Sequence, residues 1–510
     1  MNKYFAITIG PVIRTLSMAR KPRELWSASY MFSKLMEKLR AEIPEDAIIS
    51  PATRGNKDIG DVGLYPDRIY FKNPGNGWDI NKVIDCVKVN YADEIVICAD
   101  YFRIYAVEIE ADGDEDIIKK LNERLDCLEL CNIALPQDTE NSVFNSIIGN
   151  KIWTKYHKSG KQIETLAEIA SAQLEQIDEN GYKKCLSQNK GQDNEDKLIK
   201  ELKNKFPEKF ITPHKYICIV HADGDNIGTI AGSVTIEELK TLSQRLLKFG
   251  DKACESIKQY QGFPIYAGGD DLLFIAPVVS GKEETRTIFD LIKQIDDDFK
   301  ETKVSEITGK DNKGNTLVPA MSYGISITYY KYPLYESLEM SRNLLFGISK
   351  ELKKKDEKGK DTDEKLKNAI AWTLQRGSGA TVTGVFSKGS ENSKDSEKLY
   401  EAYQSLIKSI NVKTDKNLVS AVAHKIKNNE ELLGLFMGTA NQDERLVAFF
   451  KNYLEYETKK ADEKIYLDAV KGLFKVLQST TNNIKETTKI IYAMLRTAKF
   501  IKGLEDDKDE

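Results

Sequence analysis

Tyr216-Ile-Cys-Ile-Val-His-Ala-Asp-Gly-Asp-Asn-Ile-Gly228 opens with a short apolar, β-branched run and passes straight into two carboxylates and two glycines. Such a run bounded by turn residues reads as a buried strand. Downstream, Ile265-Tyr-Ala-Gly-Gly-Asp-Asp-Leu-Leu-Phe-Ile275 is apolar on both sides of a glycine pair and reads as a hairpin centred on Gly268-Gly269-Asp270-Asp271. A helical pattern near 235–259 separates the two, and a helix over 283–301, a strand from Ala320 to Thr328 and a helix over 334–351 follow.

The same order is expected earlier in the chain. Residues 3–9 read as a strand, Gly10-Pro11 ends it, and a long helical pattern runs to about Arg40. Strands near 67–71 and 101–109 and a helix over about 114–131 come next. Between about 140 and 212 the pattern is helical and polar, and Ser187-Gln-Asn-Lys-Gly-Gln-Asp-Asn-Glu-Asp196 is too polar to build a core. The lysine-rich stretches 302–316 and 350–366 read as surface loops, and after Ser390 only helical periodicity remains, ending in an acidic tail. The expected class is α+β, with units at 1–139, 140–212, 213–390 and 391–510.

Composition narrows the rest. At 510 residues the chain needs several cores. With 75 basic and 79 acidic side chains it has a net charge of -4, which argues against coating nucleic acid by bulk electrostatics and leaves room for a local basic groove. No apolar run is long enough for a membrane span or a signal peptide, so a cytoplasmic protein with no membrane partner is expected. The seven cysteines form no CxxC pair; they are expected to be reduced, with Cys127 and Cys131 as buried core thiols, and no zinc is expected.

The chemistry sits in the two opening motifs. Gly224 and Gly228 let backbone N–H groups approach a triphosphate, while Asp223 and Asp225 aim oxygen ligands at Mg²⁺ or Mn²⁺. Asp270 and Asp271 place a self-repelling acidic pair at a hairpin tip, which invites a divalent cation and suits two-metal phosphoryl transfer. His221 shares the Asp223 face and is expected to hydrogen-bond or pack rather than act as a base; Trp26 and Tyr30 are expected in the core.

Motifs of this kind on neighbouring strands resemble polymerase and cyclase palms, including the GGDEF nucleotidyl cyclases. Ile9-Gly-Pro-Val12, Ala19-Arg-Lys-Pro-Arg-Glu-Leu-Trp26 with Ser29, and Tyr65-Pro-Asp-Arg68 resemble the first palm of the large polymerase/cyclase-like subunit of type III-B (Cmr) CRISPR effector complexes. Asp223-Gly-Asp-Asn-Ile-Gly228, Gly268-Gly-Asp-Asp271, Ser322-Tyr-Gly-Ile-Ser326, Tyr332-Pro-Leu334 and Lys367-Asn-Ala-Ile-Ala371 with Gly377-Ser-Gly379 are similar to its second palm.

The resemblance implies two tandem ferredoxin-like palm domains joined by a helical connector, and a helical C-terminal domain. It implies a Mg²⁺-dependent nucleotidyltransferase that turns ATP into an adenylate second messenger when guide RNA pairs with target RNA inside a complex of several subunits. Asp223, Asp270 and Asp271 would be catalytic, with Asp225 as a further metal ligand. Gly224, Asp225, Asn226, Gly228, Gly268, Gly269 and Lys350 would hold the nucleotide, although Lys350 also opens a solvated lysine run. The product would be a cyclic oligoadenylate or AMP joined to S-adenosylmethionine as co-substrate. The chain starts on the palm and carries no adjacent His-Asp pair, so no HD nuclease activity is expected. The first palm's counterpart of the acidic hairpin is expected at Tyr65-Pro-Asp-Arg-Ile-Tyr70, binding without catalysing. The competing readings are a catalytically silent scaffold subunit that binds guide and target RNA, and a free-standing cyclase.

Overall fold

The computed structural model describes residues 2–53, 62–75, 77–111, 116–130, 137–157, 163, 165–189, 194–311, 313–355, 361–388, 395–410, 416–435, 441–481 and 484–504. Its first unit runs β1 (Asn2–Gly10), α1 (Pro22–Ala41), β2 (Ile48–Ser50), β3 (Arg68–Lys72), α2 (Ile80–Ile95) and β4 (Arg103–Ala111). The sheet order is β2-β3-β1-β4 with antiparallel neighbours, which is the ferredoxin-like arrangement. Helix α1 starts with Pro22 in its first turn, where a missing N–H costs nothing. Helix α2 is capped by Asp79, whose side chain accepts from the amides of Asn81 and Lys82. A further helix, α3 (Ile117–Glu129), buries Ile117, Ile118, Leu121 and Leu125 along one stripe.

The second unit repeats the order with β5 (Tyr216–Asp225), α4 (Ile236–Gln259), β6 (Phe263–Gly268), β7 (Asp271–Pro277), α5 (Ile288–Glu301) and β8 (Ala320–Tyr329). Helix α4 begins in a reciprocal capping box between Thr235 and Glu238. After β8, α6 (Leu334–Asn343) runs into a π-helical turn over Leu344–Ser349. Two more strands, β9 (Ala369–Gln375) and β10 (Thr381–Ser387), widen the sheet to β10-β9-β8-β5-β7-β6, with β9 parallel to β8. They were not expected: Ala369-Ile-Ala-Trp-Thr-Leu is buried without a break and so lacks the alternation that marks a half-exposed strand. Two short hairpins, Gly309–Lys310 with Thr316–Leu317 and Lys353–Lys355 with Asp361–Lys365, replace the plain loops expected in the lysine-rich inserts.

Connector helices from Gln137–Ile148 to Glu195–Lys205 clamp both units. Ser146 Oγ donates to the Ile95 carbonyl at 3.0 Å, and Gln173 Nε2 donates to the Ser280 and Gly281 carbonyls at 3.2 and 3.0 Å. The C-terminal helices from Asp395–Ser409 to α7 (Ile484–Ile501) cover the far side of the second sheet. There Trp372 Nε1 donates to Thr497 Oγ1 at 3.0 Å. The acidic tail lies outside the described residues. Among the described residues no helix is long and apolar enough to cross a membrane. No disulfide joins the described cysteines, and Cys127 is exposed on α3, not the buried core thiol expected; Cys131 lies outside the described residues.

Among the described residues two hydrophobic cores form, and both palms feed each of them. Tyr4 and Ala6 of β1 share one core with Tyr216, Cys218, Val220 and Ala222 of β5. Phe5, Ile7 and Ile9 share the other with Ile217 and Ile219. The palms are therefore packed into shared cores, not strung on a tether.

Helix α6 and its π turn lie so close to β8 that a Cβ on Gly324 would stand 2.2 Å from the Ser341 carbonyl and 2.4 Å from the Leu345 amide. Gly324→Val is expected to lift this helix and to destabilise the fold by about 2 kcal/mol, the usual scale of overpacking. A thermal melt checks it, and an unchanged melting temperature would contradict the packing described.

Candidate functional site

On β5 the side chains at 217 and 219 enter a core, and the next residues on that face are His221, Asp223 and Asp225. Alternation along one strand thus turns an apolar face into an acidic one. Antiparallel pairing puts Ala222 opposite Leu272 on β7 and Asp223 opposite Ser322 on β8. The β6–β7 hairpin turns through Gly269 and Asp270, with Gly269 at φ +67°, a conformation that glycine adopts without cost. A Cβ on Gly224 would lie 2.7 Å from both Cβ and Oδ2 of Asp270. The bare backbone at Gly224 is what lets the hairpin tip sit on the strand and brings Asp270 against β5.

Asp225 is wholly buried. Its Oδ2 accepts from Ser322 Oγ at 2.6 Å and from the Asn368 amide at 2.7 Å, while its Oδ1 makes no hydrogen bond. Burial raises its pKa against the lowering effect of those bonds. Lys350 enters from the end of the π turn, where its own amide bonds the Leu345 carbonyl at 2.9 Å. Its ammonium ion-pairs with Asp223, donates to the Gly224 carbonyl at 3.2 Å and lies 3.9 Å from Asp225 Oδ1. Burial, helped by Lys367, lowers its pKa to about 8. The lysine whose run reads as solvated therefore stands among the acids.

Asp271, with Asp270 next to it in the chain, lines a cavity of about 460 Å³ between the two palms, of a size that holds small-molecule ligands. Asp271 stays open to that cavity, yet desolvation deep between the palms raises its carboxyl; Asp270 is raised by desolvation and by repulsion from Asp271. The opposite wall is first-palm, with Ile9, Val12, Leu16 and Phe32, and it contributes an acid of its own, Asp67. Desolvation lifts Asp67 to about 6 despite Arg68 beside it, and Asp271 adds to the rise.

Tyr65-Pro-Asp-Arg-Ile-Tyr70 is not the hairpin expected. Strand β3 begins only at Arg68, and the preceding segment runs along the second palm, with the Ala267 amide donating to the Gly63 carbonyl at 2.9 Å. Asp67 reaches the site by this route. Asn226 sits in the left-handed region and donates its side-chain amide to the Val318 carbonyl at 3.0 Å. Gly228 is exposed and Gly268 is buried on β6. His221 shares a hydrogen bond with Ser341 Oγ at 2.8 Å, and burial together with Arg342 holds it near pKa 3, neutral at physiological pH. Trp26 is fully buried and stacks on Tyr30 at 4.5 Å. Ser322 and Asn368 lie within quoted motifs, but nothing in the sequence marked them as partners of Asp225.

Among the described residues no three His, Cys, Asp or Glu side chains converge as a ready-made cation cage. The acids fit a cation of the Mg²⁺ type nonetheless, since that ion takes one or two carboxylates and fills its shell with phosphate and water oxygens. The unbonded, buried Asp225 Oδ1 and the ammonium lodged against Asp223 both mark a place that wants positive charge.

A carboxyl at about 6 in the folded protein, against 3.8 for the free group, binds its proton more tightly when folded. Stability therefore falls as pH rises from about 4 to about 6 and stays lower above that window. Asp67→Asn is expected to raise the metal-free melting temperature more at pH 7.5 than at pH 4.5. An equal change at both pH values would contradict the shift.

Two family models match the chain: "CRISPR-associated protein Cmr2, N-terminal" over residues 4–179 and "Cas10/Cmr2, second palm domain" over residues 216–359. The Cmr subunit Cmr2 of Pyrococcus furiosus is 29% identical over 207 residues, a match covering 35% of this chain and 22% of that protein. A type III-B Cmr-beta structure in the apo state aligns at TM-score 0.63 and 13% identity over 99% of this chain and 82% of that one. The Cmr-beta structure bound to cognate target RNA aligns at 0.54 and 13% identity, over 99% and 83%. With the first model on the first palm and connector, the second on the strands that carry the acids, and the fold shared end to end, the chain belongs to the Cas10/Cmr2 family.

Proposed function

We propose that the chain is the nucleotidyltransferase subunit of a type III-B CRISPR effector complex, working in the cytoplasm on ATP when target RNA pairs with the guide RNA. The observation that carries this reading is the cavity between the palms with Asp271 and Asp67 on its walls, together with Asp270 beside Asp271 and the cluster of Asp223, Asp225 and Lys350 at the end of β5. Acids that repel one another and an open space of nucleotide size suit the transfer of an adenylyl group. An acceptor oxygen attacks the α-phosphorus and pyrophosphate leaves.

Asp223, Asp270 and Asp271 would hold Mg²⁺, or Mn²⁺ in its place, which when bound offsets the charge of the triphosphate. Asp225, fixed by Ser322 and Asn368, keeps one oxygen free toward the same place. Lys350 would neutralise the phosphates, and the backbone at Gly224, Asn226, Gly228, Gly268 and Gly269 would line their path. Asp67 and the apolar first-palm wall would hold the acceptor, either a second ATP, giving a cyclic oligoadenylate, or S-adenosylmethionine, giving its AMP conjugate. A silent scaffold that binds guide and target RNA is the second reading, and the ion pair that already occupies Asp223 favours it.

The reconstituted complex would be incubated with guide, matching RNA, Mg²⁺ and labelled ATP, with and without S-adenosylmethionine, beside an Asp270→Ala/Asp271→Ala variant. A target-dependent adenylate product, reduced roughly hundredfold or more in the variant, is expected. No product from the parent complex, with RNA binding intact, would leave the scaffold.

A further inference from the structure

Away from the cavity, the second palm buries an ion pair. Lys388 Nζ donates to both oxygens of Asp296 at 2.7 Å, and the two side chains are 1% and 14% exposed. Tyr323 Oη from β8 and Tyr400 Oη from the helix Asp395–Ser409 each donate to the same carboxylate at 2.8 Å. The Lys388 ammonium also lies 4.6 Å from the Tyr323 ring centroid. Desolvating two charges often costs as much as their attraction returns, so a pair this deep is a poor source of stability. What it does hold is geometry, because it ties together α5, β8, the end of β10 and the C-terminal helices.

The main chain shows what that geometry serves. The Lys388 amide donates to the Asn368 carbonyl at 2.7 Å, and Ser387 Oγ donates to the Lys367 carbonyl at 3.0 Å. Asn368 sits at φ 57°, a left-handed conformation that asparagine tolerates better than most residues. From there its own amide donates to Asp225 Oδ2 at 2.7 Å. The next amide, of Ala369, donates to Ser322 Oγ at 3.1 Å, and the Ser322 hydroxyl donates to the same Asp225 oxygen at 2.6 Å. Among the described residues, every hydrogen bond on that carboxylate thus comes, directly or through one hydroxyl, from residues 368–369.

We infer that Lys388, Asp296 and Tyr400 are positioning residues: they fix residues 367–369, which aim the Asp225 carboxylate, and Tyr400 links that aim to the C-terminal helices. Movement of those helices then reaches the acids through one phenol, one buried ion pair and two backbone amides. The consequence for turnover rests on the nucleotidyltransferase reading; the positioning itself does not.

The test uses the full-length chain as Tyr400→Phe and as Lys388→Met/Asp296→Leu, which replaces the pair by apolar groups of similar size. Circular dichroism and thermal melts establish folding, and hydrogen exchange reads the amides of the 365–369 segment. Expected are native spectra, exchange at 368–369 faster by about tenfold or more, and, in the complex, a roughly tenfold lower kcat for ATP with KM little changed. Native-like exchange at 368–369 in both folded variants would overturn the proposal. If the double variant does not fold, Tyr400→Phe decides alone. If the parent complex turns over no ATP, the nucleotidyltransferase reading falls while the exchange measurement still decides this one.

Discussion

The alternation of side chains along β5 is the constraint on which the rest hangs. Tyr216, Cys218, Val220 and Ala222 fill one core; Ile217 and Ile219 fill the other, and His221, Asp223 and Asp225 continue that second face. A slip of one residue against β7 or β8 would put carboxylates into the first core and aromatic and aliphatic groups into the site. Ten paired positions with β8 and six with β7 hold the register, so the same contacts that stabilise the sheet fix the acids. Stability and site geometry are set by one strand.

Against that rigid frame the site itself is electrostatically costly. Asp67, Asp270 and Asp271 are all pushed above the ordinary carboxylate range, and Asp225 is raised while sealed from water. Such a group of acids works against folding, and it persists because the two cores on either side of the sheet outweigh it. Lys350 relieves part of the repulsion and suffers for it, since burial drags its own pKa to about 8. Nothing in the packing of the palms requires any of these charges at these positions.

Much of this was legible because local chemistry and global fold agree. The Gly268-Gly269 turn, the apolar run before Asp223 and the repeated strand-helix order are local signals, and the structure realises each as read. What the sequence hid depends on tertiary contacts. Lys350 sits in a lysine run that looks solvated, and a π turn, which leaves no periodic signature, swings it inward. Strand β9 is buried on both faces and shows no alternation; Asp67 precedes its strand and meets the acids only because the chain before it lies along β6. Cys127 misled in the opposite sense, falling on the exposed side of α3.

The two palms share a strand order but not a hairpin, and that difference explains the shape of the cavity. In the second palm a two-residue turn joins β6 to β7 and puts adjacent acids at its tip. In the first, β2 is only three residues long, and the chain before β3 is spent bracing the neighbouring palm. One wall takes Asp271 from the start of β7 and Glu339 from α6; the other presents Ile9, Val12, Leu16 and Phe32 with the single acid Asp67. Duplicated folds placed face to face would give a symmetric site if both hairpins were kept. Turning one hairpin into a brace gives up that symmetry and fixes the distance between the walls through main-chain contact, as the Gly63–Ala267 bond shows.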